Sequence, residues 1–138
     1  MPLTLPELAA KMRELDTCML CTHADDGSMS TRPMSNNKQV SYDGSAWFFT
    51  WESSRMAQDI VKDPDTLAVY QGGFGFWVAV QATSEIVKDK AVMAAHWDPD
   101  LERWFADGID TPGVVLLHVR ARRITYWTFA DGDGEILV

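Results

Sequence analysis

The chain is poor in cysteine, in cations and in long apolar runs, and each shortage narrows what it can be. It carries two Cys in 138 residues and 12 Lys and Arg against 20 Asp and Glu. The resulting formal net charge of -8 speaks against nucleic acid as the main partner, because phosphate backbones reward clustered Lys and Arg. No apolar run approaches the span of a bilayer, so no membrane association is expected. The start, Met1-Pro2-Leu3-Thr4, has neither the basic segment nor the apolar core of a secretory signal, and a cytoplasmic location is the expectation. No serine stands in a Gly-x-Ser-x-Gly elbow, which removes the local signature of a hydrolase.

Two apparent motifs lose their force in context. Cys18 and Cys21 form a Cys-x-x-Cys pair, but within Thr17-Cys18-Met19-Leu20-Cys21-Thr22, a β-like run. Positions three apart on a strand point to opposite faces, too far apart for a disulfide, so both read as core residues. A zinc site would need two further ligands, and His96 and His118 lack the matching spacing, so no metal is expected. Gly72-Gly73-Phe74-Gly75-Phe76 suggests a dinucleotide loop, yet no helix follows it, and that mode of binding depends on a strand-turn-helix unit. His23, His96 and His118 are scattered and read as structural.

What the chain has in plenty is large apolar side chains: six Trp, six Phe, three Tyr and seven Met. Such a load suits either a rich core or the lining of a flat-ligand pocket and a dimer face. The length fits one domain over residues 1–138, and the balance of 46% hydrophobic and 23% charged residues is that of a globular protein.

The periodicity predicts a first helix bearing Leu5, Leu8, Ala9, Met12 and Leu15, opened by a Thr4/Glu7 capping box. From Asp16 the pattern becomes a strand, turning at Asp25-Asp26-Gly27-Ser28 into a second strand from Met29 to about Val40. Tyr42-Asp43-Gly44-Ser45 is a further turn before the aromatic strand Ala46-Trp47-Phe48-Phe49-Thr50-Trp51. A helix then opens at Ser53-Ser54-Arg55, with Met56, Ala57, Ile60 and Val61 on one side, and stops before Pro64. Strands are expected over Thr66–Gln71 and Phe76–Val87, then helical segments at Lys90–His96 and Leu101–Phe105. Val114 to Phe129 reads as one long strand or two joined by a bulge, the parity shift near Arg122-Arg123 favouring the bulge, and Asp131-Gly132-Asp133-Gly134 as a turn or loose tail. Six or so strands joined by tight turns, with helices at the margin, make a mainly β protein, an antiparallel β-barrel with peripheral helices.

Two places could carry chemistry. Arg32-Pro33-Met34 sets an arginine beside a proline within a strand, and proline is tolerated there at an edge or an irregularity. Ser53, Ser54 and Arg55 gather two hydroxyls and a cation at a helix start, where the dipole and free amides favour an anion. Taken singly, each is matched by a plainer reading, a surface arginine in the first case and simple N-capping in the second.

In combination they resemble a known family. Arg-Pro-Met at 32–34, Phe-Phe-Thr at 48–50 and the Ser-rich turn with Arg55 are similar to the general stress protein branch of the pyridoxamine 5'-phosphate oxidase-like flavin-binding proteins. So are Trp97-Asp98-Pro99-Asp100-Leu101, Trp104-Phe105, Asp107-Gly108-Ile109-Asp110, Val115-Leu116-Leu117 and Tyr126-Trp127. The resemblance implies a split antiparallel β-barrel of the FMN-binding type and a homodimer with FMN at the subunit interface. By the same resemblance Arg32, Pro33 and Met34 would contact the flavin, Phe49 and Thr50 would line its site, and Ser53, Ser54 and Arg55 would hold the phosphate. Trp104 would close the pocket from across the dimer. Two positions depart from the family pattern: Arg55 replaces a usual lysine, keeping charge but changing geometry, and Ala82 replaces a usual glycine. The C-terminal segment that serves vitamin B6 substrates has no counterpart, so vitamin B6 oxidation is not expected. The implied function is a flavin-dependent oxidoreductase with NAD(P)H as a candidate donor, or else a flavin-binding stress protein that stores or senses FMN. Haem or a deazaflavin is a weaker third option for the cofactor.

Overall fold

The computed structural model describes residues 2–15, 17–35 and 42–138. Its elements are α1 (Leu5–Met12), β1 (Thr17–His23), β2 (Met29–Ser35), β3 (Ser45–Trp51), α2 (Arg55–Lys62), β4 (Asp65–Gln71), β5 (Phe76–Val87), α3 (Lys90–His96), β6 (Val114–Thr128) and β7 (Gly132–Leu137). Two short 3-10 segments, Pro99–Arg103 and Gly108–Asp110, lie between α3 and β6. The expected start of the first strand at Asp16 and the continuation of the second from residue 36 to Val40 lie outside the described residues.

Local chemistry accounts for the element boundaries. Thr4 Oγ1 accepts from the Glu7 amide and the Glu7 carboxylate accepts from the Thr4 amide, each at 3.4 Å, so the capping box of α1 is complete. Leu8, Ala9 and Met12 of that helix are buried. Gly27, at φ +84°, supplies the left-handed position that the β1–β2 turn needs.

All strand pairs are antiparallel, in the order β2-β1-β4-β5-β6-β3, and β7 pairs with β6 as well. β6 is long enough to pair with β3 along its first half and with β7 along its second. Between the halves, Gln81 faces Arg123 while Ala82 faces Ala121, so Arg122 is the extra residue of a bulge. The parity expectation is met for a physical reason: Val119 and Ala121 before the bulge, and Ile124 and Tyr126 after it, are all buried, and one extra residue is needed to keep both sets inward. Strand β5 runs on through Ala82, where the register shifts.

The main core joins Leu20 of β1, Met34 of β2, Phe48 of β3, Tyr70 of β4, Val80 of β5 and Leu117 of β6 with Leu8 of α1 and Ile60 of α2. Since β2 and β3 stand at opposite ends of the sheet order yet feed one core, the sheet curls around it without closing among the described residues. Cys18 and Cys21 are buried and free, and burial pushes the Cys18 thiol up to about 11, against a hydrogen bond with Tyr70 that lowers it. Both therefore stay protonated and act as core residues.

A second, outer cluster lies between β3, β6 and α3. Met93, Phe105, Val114 and Leu116 are its buried centre, with Trp47, Phe49 and Trp97 packed on it. Trp47 is stacked between His96 and His118, both ring centroids at 3.9 Å. Ser45 Oγ lies 2.8 Å from His118 Nε2.

Three expectations are corrected. Asp131-Gly132-Asp133-Gly134 is not a loose tail: it leads into β7, and Gly134 lies under Tyr126, where any Cβ would collide with the phenol. The helical piece near Leu101–Phe105 is instead the 3-10 segment Pro99–Arg103. On α2, Val61 is 74% exposed, and Asp59 takes a buried place beside Met56, Ala57 and Ile60.

Candidate anion site between β1, β2 and α2

The hairpin register sets Thr22 opposite Ser30 and Leu20 opposite Arg32. Pro33 is accommodated because β2 is an end strand of the sheet. Across from this hairpin, α2 begins at Ser54, whose Oγ accepts from the Ala57 amide at 3.2 Å. Arg55 and Asp59, four apart, share one side of the helix.

These elements enclose a cleft of about 290 Å³. Arg32, Arg55, Thr22, Ser30 and Thr31 are among the residues that line it, together with Pro33, Leu20 and Met56. Asp59 completes the lining. It is 6% exposed, and Thr22 Oγ1 donates to its Oδ2 at 3.2 Å. Asp26, on the β1–β2 turn, has its carboxyl held below the usual range, chiefly by the Ser28 hydroxyl at 2.5 Å and the Ser28 amide at 2.9 Å, with Arg55 adding a smaller pull. Two forked donors, several hydroxyls and the positive end of a helix are what a phosphate requires.

Of the residues expected from the sequence, Arg32, Pro33 and Arg55 meet in this cleft. The others do not line it. Met34 is buried in the main core, and Thr50 is buried as well. Phe49 stands edge-on to Trp97 at 4.9 Å in the outer cluster. Ser53 is exposed, its carbonyl accepting from Gln58 Nε2 at 3.1 Å. Ser54 serves as the N-cap, and Trp104 is 68% exposed just after the Pro99–Arg103 segment.

Sequence reasoning missed Ser30 and Thr31 as well as Thr22 and Asp59, and for the last two a signal was there. Thr22 has the inward parity of Cys18 and Leu20, and Asp59 stands one helical turn after Arg55. A further cavity, about 450 Å³, lies on the other side of α2 between Ala57, Val61 and Ile86, flanked by the Lys88–Glu52 ion pair. No helix of the described residues is long and apolar enough to cross a membrane.

Fold and cleft together define a small, curled antiparallel barrel with a cleft at a helix start whose lining includes two arginines. The family model described as "Pyridoxamine 5'-phosphate oxidase like" matches residues 4–137, and the chain belongs to that family. Among solved structures, a Clostridium acetobutylicum protein related to general stress protein 26 of B. subtilis (pyridoxinephosphate oxidase family) is 20% identical. It covers 97% of this chain and 94% of its own, with a TM-score of 0.82. General Stress Protein 26 from Bacillus anthracis is 19% identical over 93% of each chain, with a TM-score of 0.76. A heme binding protein from Mycobacterium smegmatis is 13% identical over 99% of this chain and 59% of its own, with a TM-score of 0.76. These likenesses establish the fold as the split barrel of this family. No curated protein matches the chain.

Proposed function

We propose that the protein binds FMN, with the 5'-phosphate held between Arg32 and Arg55, and works as a flavin-dependent oxidoreductase. The observation that carries this reading is the meeting of Arg32 and Arg55 in one cleft at the start of α2, in a chain of this family. That donor set fits a phosphate. Bound flavin would supply hydride or electron chemistry, NAD(P)H being the candidate donor. The protein binds it, orients it and tunes it by nearby charge and hydrogen bonds.

The outer sheet face supports a homodimer with the flavin near its interface. Pro33, Met19, Val69 and Ala79 follow one another across β2, β1, β4 and β5, and Trp77 lies opposite Trp127. Met19 is 41% and Trp127 42% exposed, and exposed apolar surface of this kind marks a subunit interface. The row reaches the cleft through Pro33, so a second subunit on it would adjoin the anion site.

A second reading is FMN storage or sensing without efficient turnover; among the described residues the cleft lining holds no His, Cys, Lys or Tyr. Both readings require a yellow protein. The test is the absorption spectrum of the purified protein before and after addition of FMN. Perturbed flavin bands are expected; a colourless protein that leaves added FMN unperturbed would contradict the proposal, and haem or deazaflavin bands would replace the cofactor. Reduction of bound flavin by NADH or NADPH, followed by reoxidation by an acceptor, separates oxidoreductase from store.

A further inference from the structure

We infer that Ser45, His118 and Glu85 form a nucleophile, its base and the group that orients the base, and that Ser45 takes the acyl group of an activated ester. The three come from different strands, β3, β6 and β5, and none lines the anion cleft. The register brings them to one face of the sheet. His118 pairs with Trp47 of β3 on one side and with Glu85 of β5 on the other, and Ser45, two residues before Trp47, points the same way. His118 Nε2 lies 2.8 Å from Ser45 Oγ, and its Nδ1 3.3 Å from Glu85 Oε1. With the Nδ1 proton donated to Glu85, Nε2 carries the lone pair that accepts the Ser45 hydroxyl. The Trp47 ring, parallel to the imidazole within 5° at 3.9 Å, holds its plane, and His96 stacks on the same indole. A hydroxyl on a base that a third group orients is what serine nucleophiles of unrelated folds share, and it is defined by geometry rather than by order in the chain.

The step is an acyl transfer. Ser45 Oγ bonds to the carbonyl carbon while its proton passes to His118 Nε2; the ester C–O bond then breaks and the leaving oxygen takes that proton. The products are acyl-Ser45 and an alcohol or phenol, with nothing oxidised or reduced. Ser45 is half-buried and Glu85 exposed, so a small ester can reach the hydroxyl, while the His118 side chain, 14% exposed, is held in place. The Ser45 amide, which in such sites helps hold the oxyanion, already donates to Asp43 Oδ1 at 3.0 Å. Loss of one oxyanion donor slows such reactions about a hundredfold or more. A good leaving group is therefore required for acylation, and release of the acyl group by water lags behind it.

The test treats the whole protein with p-nitrophenyl acetate, following p-nitrophenol release by absorbance and locating acetyl groups by peptide mass spectrometry. A burst approaching about one p-nitrophenol per chain is expected, followed by a slow phase. Ser53, exposed on the turn before α2, serves as the internal reference. Ser45 should acetylate about a hundredfold faster than Ser53, the gain a positioned base supplies. Ser45→Ala should remove the burst, and His118→Gln should bring Ser45 down to the rate of Ser53. Glu85→Gln keeps an oxygen that accepts from Nδ1 and should retain more of the rate than Glu85→Leu, with both variants folded by circular dichroism. The wild-type comparison of Ser45 with Ser53 stands alone if a variant does not fold. Acetylation of Ser45 no faster than that of Ser53, or a Ser45 rate unchanged in His118→Gln, would overturn the inference.

Discussion

Residues 47–55 run without a break through two regions that handle their side chains in opposite ways. On the β3 side, the outer cluster spends its aromatic groups on one another. Trp47 sits between two imidazoles, Phe49 meets Trp97 edge-on, and Trp51 packs on Phe105 at 4.8 Å. On the α2 side, four residues further on, Arg55 lines an open cleft together with Arg32. One region packs upon itself; the other leaves its charged residues at an open cleft. The contrast teaches that neighbours in sequence at a strand-to-helix turn need not share a role, since the turn redirects the chain.

The sharpest way to break this comparison is to damage one region and read the other. Phe105, 4% exposed, should cost about 3–5 kcal/mol of stability on replacement by Ala, measured by chemical denaturation. FMN affinity of the folded variant should stay within about twofold. Loss of FMN binding while the fold is intact would show the regions to be coupled. The reverse experiment is Arg55→Ala: the residue is exposed, so stability should change by less than about 0.5 kcal/mol. FMN affinity should drop about ten- to a hundredfold, the loss of a charge-assisted contact. Unchanged affinity would remove Arg55 from the phosphate site.

Ser54→Ala sharpens the boundary between the two regions. Because Ser54 Oγ is engaged by the Ala57 amide, the variant should lose about 1 kcal/mol of stability as a cap is removed, with a smaller effect on FMN than Arg55→Ala. A larger effect on FMN than on stability would make Ser54 a ligand contact first. The smallest expected effect is a pH dependence in the outer cluster. His96 has its imidazole held below the ordinary range, by burial first and by the like charge of His118 second, with Asp43 opposing. Its folded value lies under its unfolded one, so below the usual imidazole value of about 6.5 the unfolded chain takes up more protons. Stability contributed by neutral His96 is thus full above that value and is lost as pH falls through the folded one. Denaturation midpoints of wild type and His96→Gln should converge on acidification; parallel curves would exclude His96 as the source.

Much of the fold was legible because its signals are local. The Thr4/Glu7 box, the Gly27 turn and the parity change at Arg122 each depend on residues close in sequence, and each appears in the structure. What was not legible depends on distant partners. Asp131 to Gly134 reads as a turn or loose tail on composition; Asp131 is indeed a turn residue, but Gly132 to Gly134 become strand because β6 offers hydrogen bonds and Tyr126 needs a residue without a Cβ beneath it. Val61 has the apolarity for the core, yet Asp59 takes the buried side of α2, where Thr22, 37 residues away, supplies a donor. The cleft was half legible for the same reason. Arg32, Pro33 and Arg55 announce themselves as cations and a strand irregularity, whereas a carboxylate on a helix reads as solvated until its partner strand is in place.

The most direct test of the phosphate reading is the affinity of the protein for FMN against riboflavin, which share the flavin ring and ribityl chain and differ in the phosphate. With two guanidiniums on that group, FMN should bind about a hundredfold more tightly or better, and Arg32→Ala with Arg55→Ala should erase the difference. Equal affinity for FMN and riboflavin in the wild-type protein would contradict it.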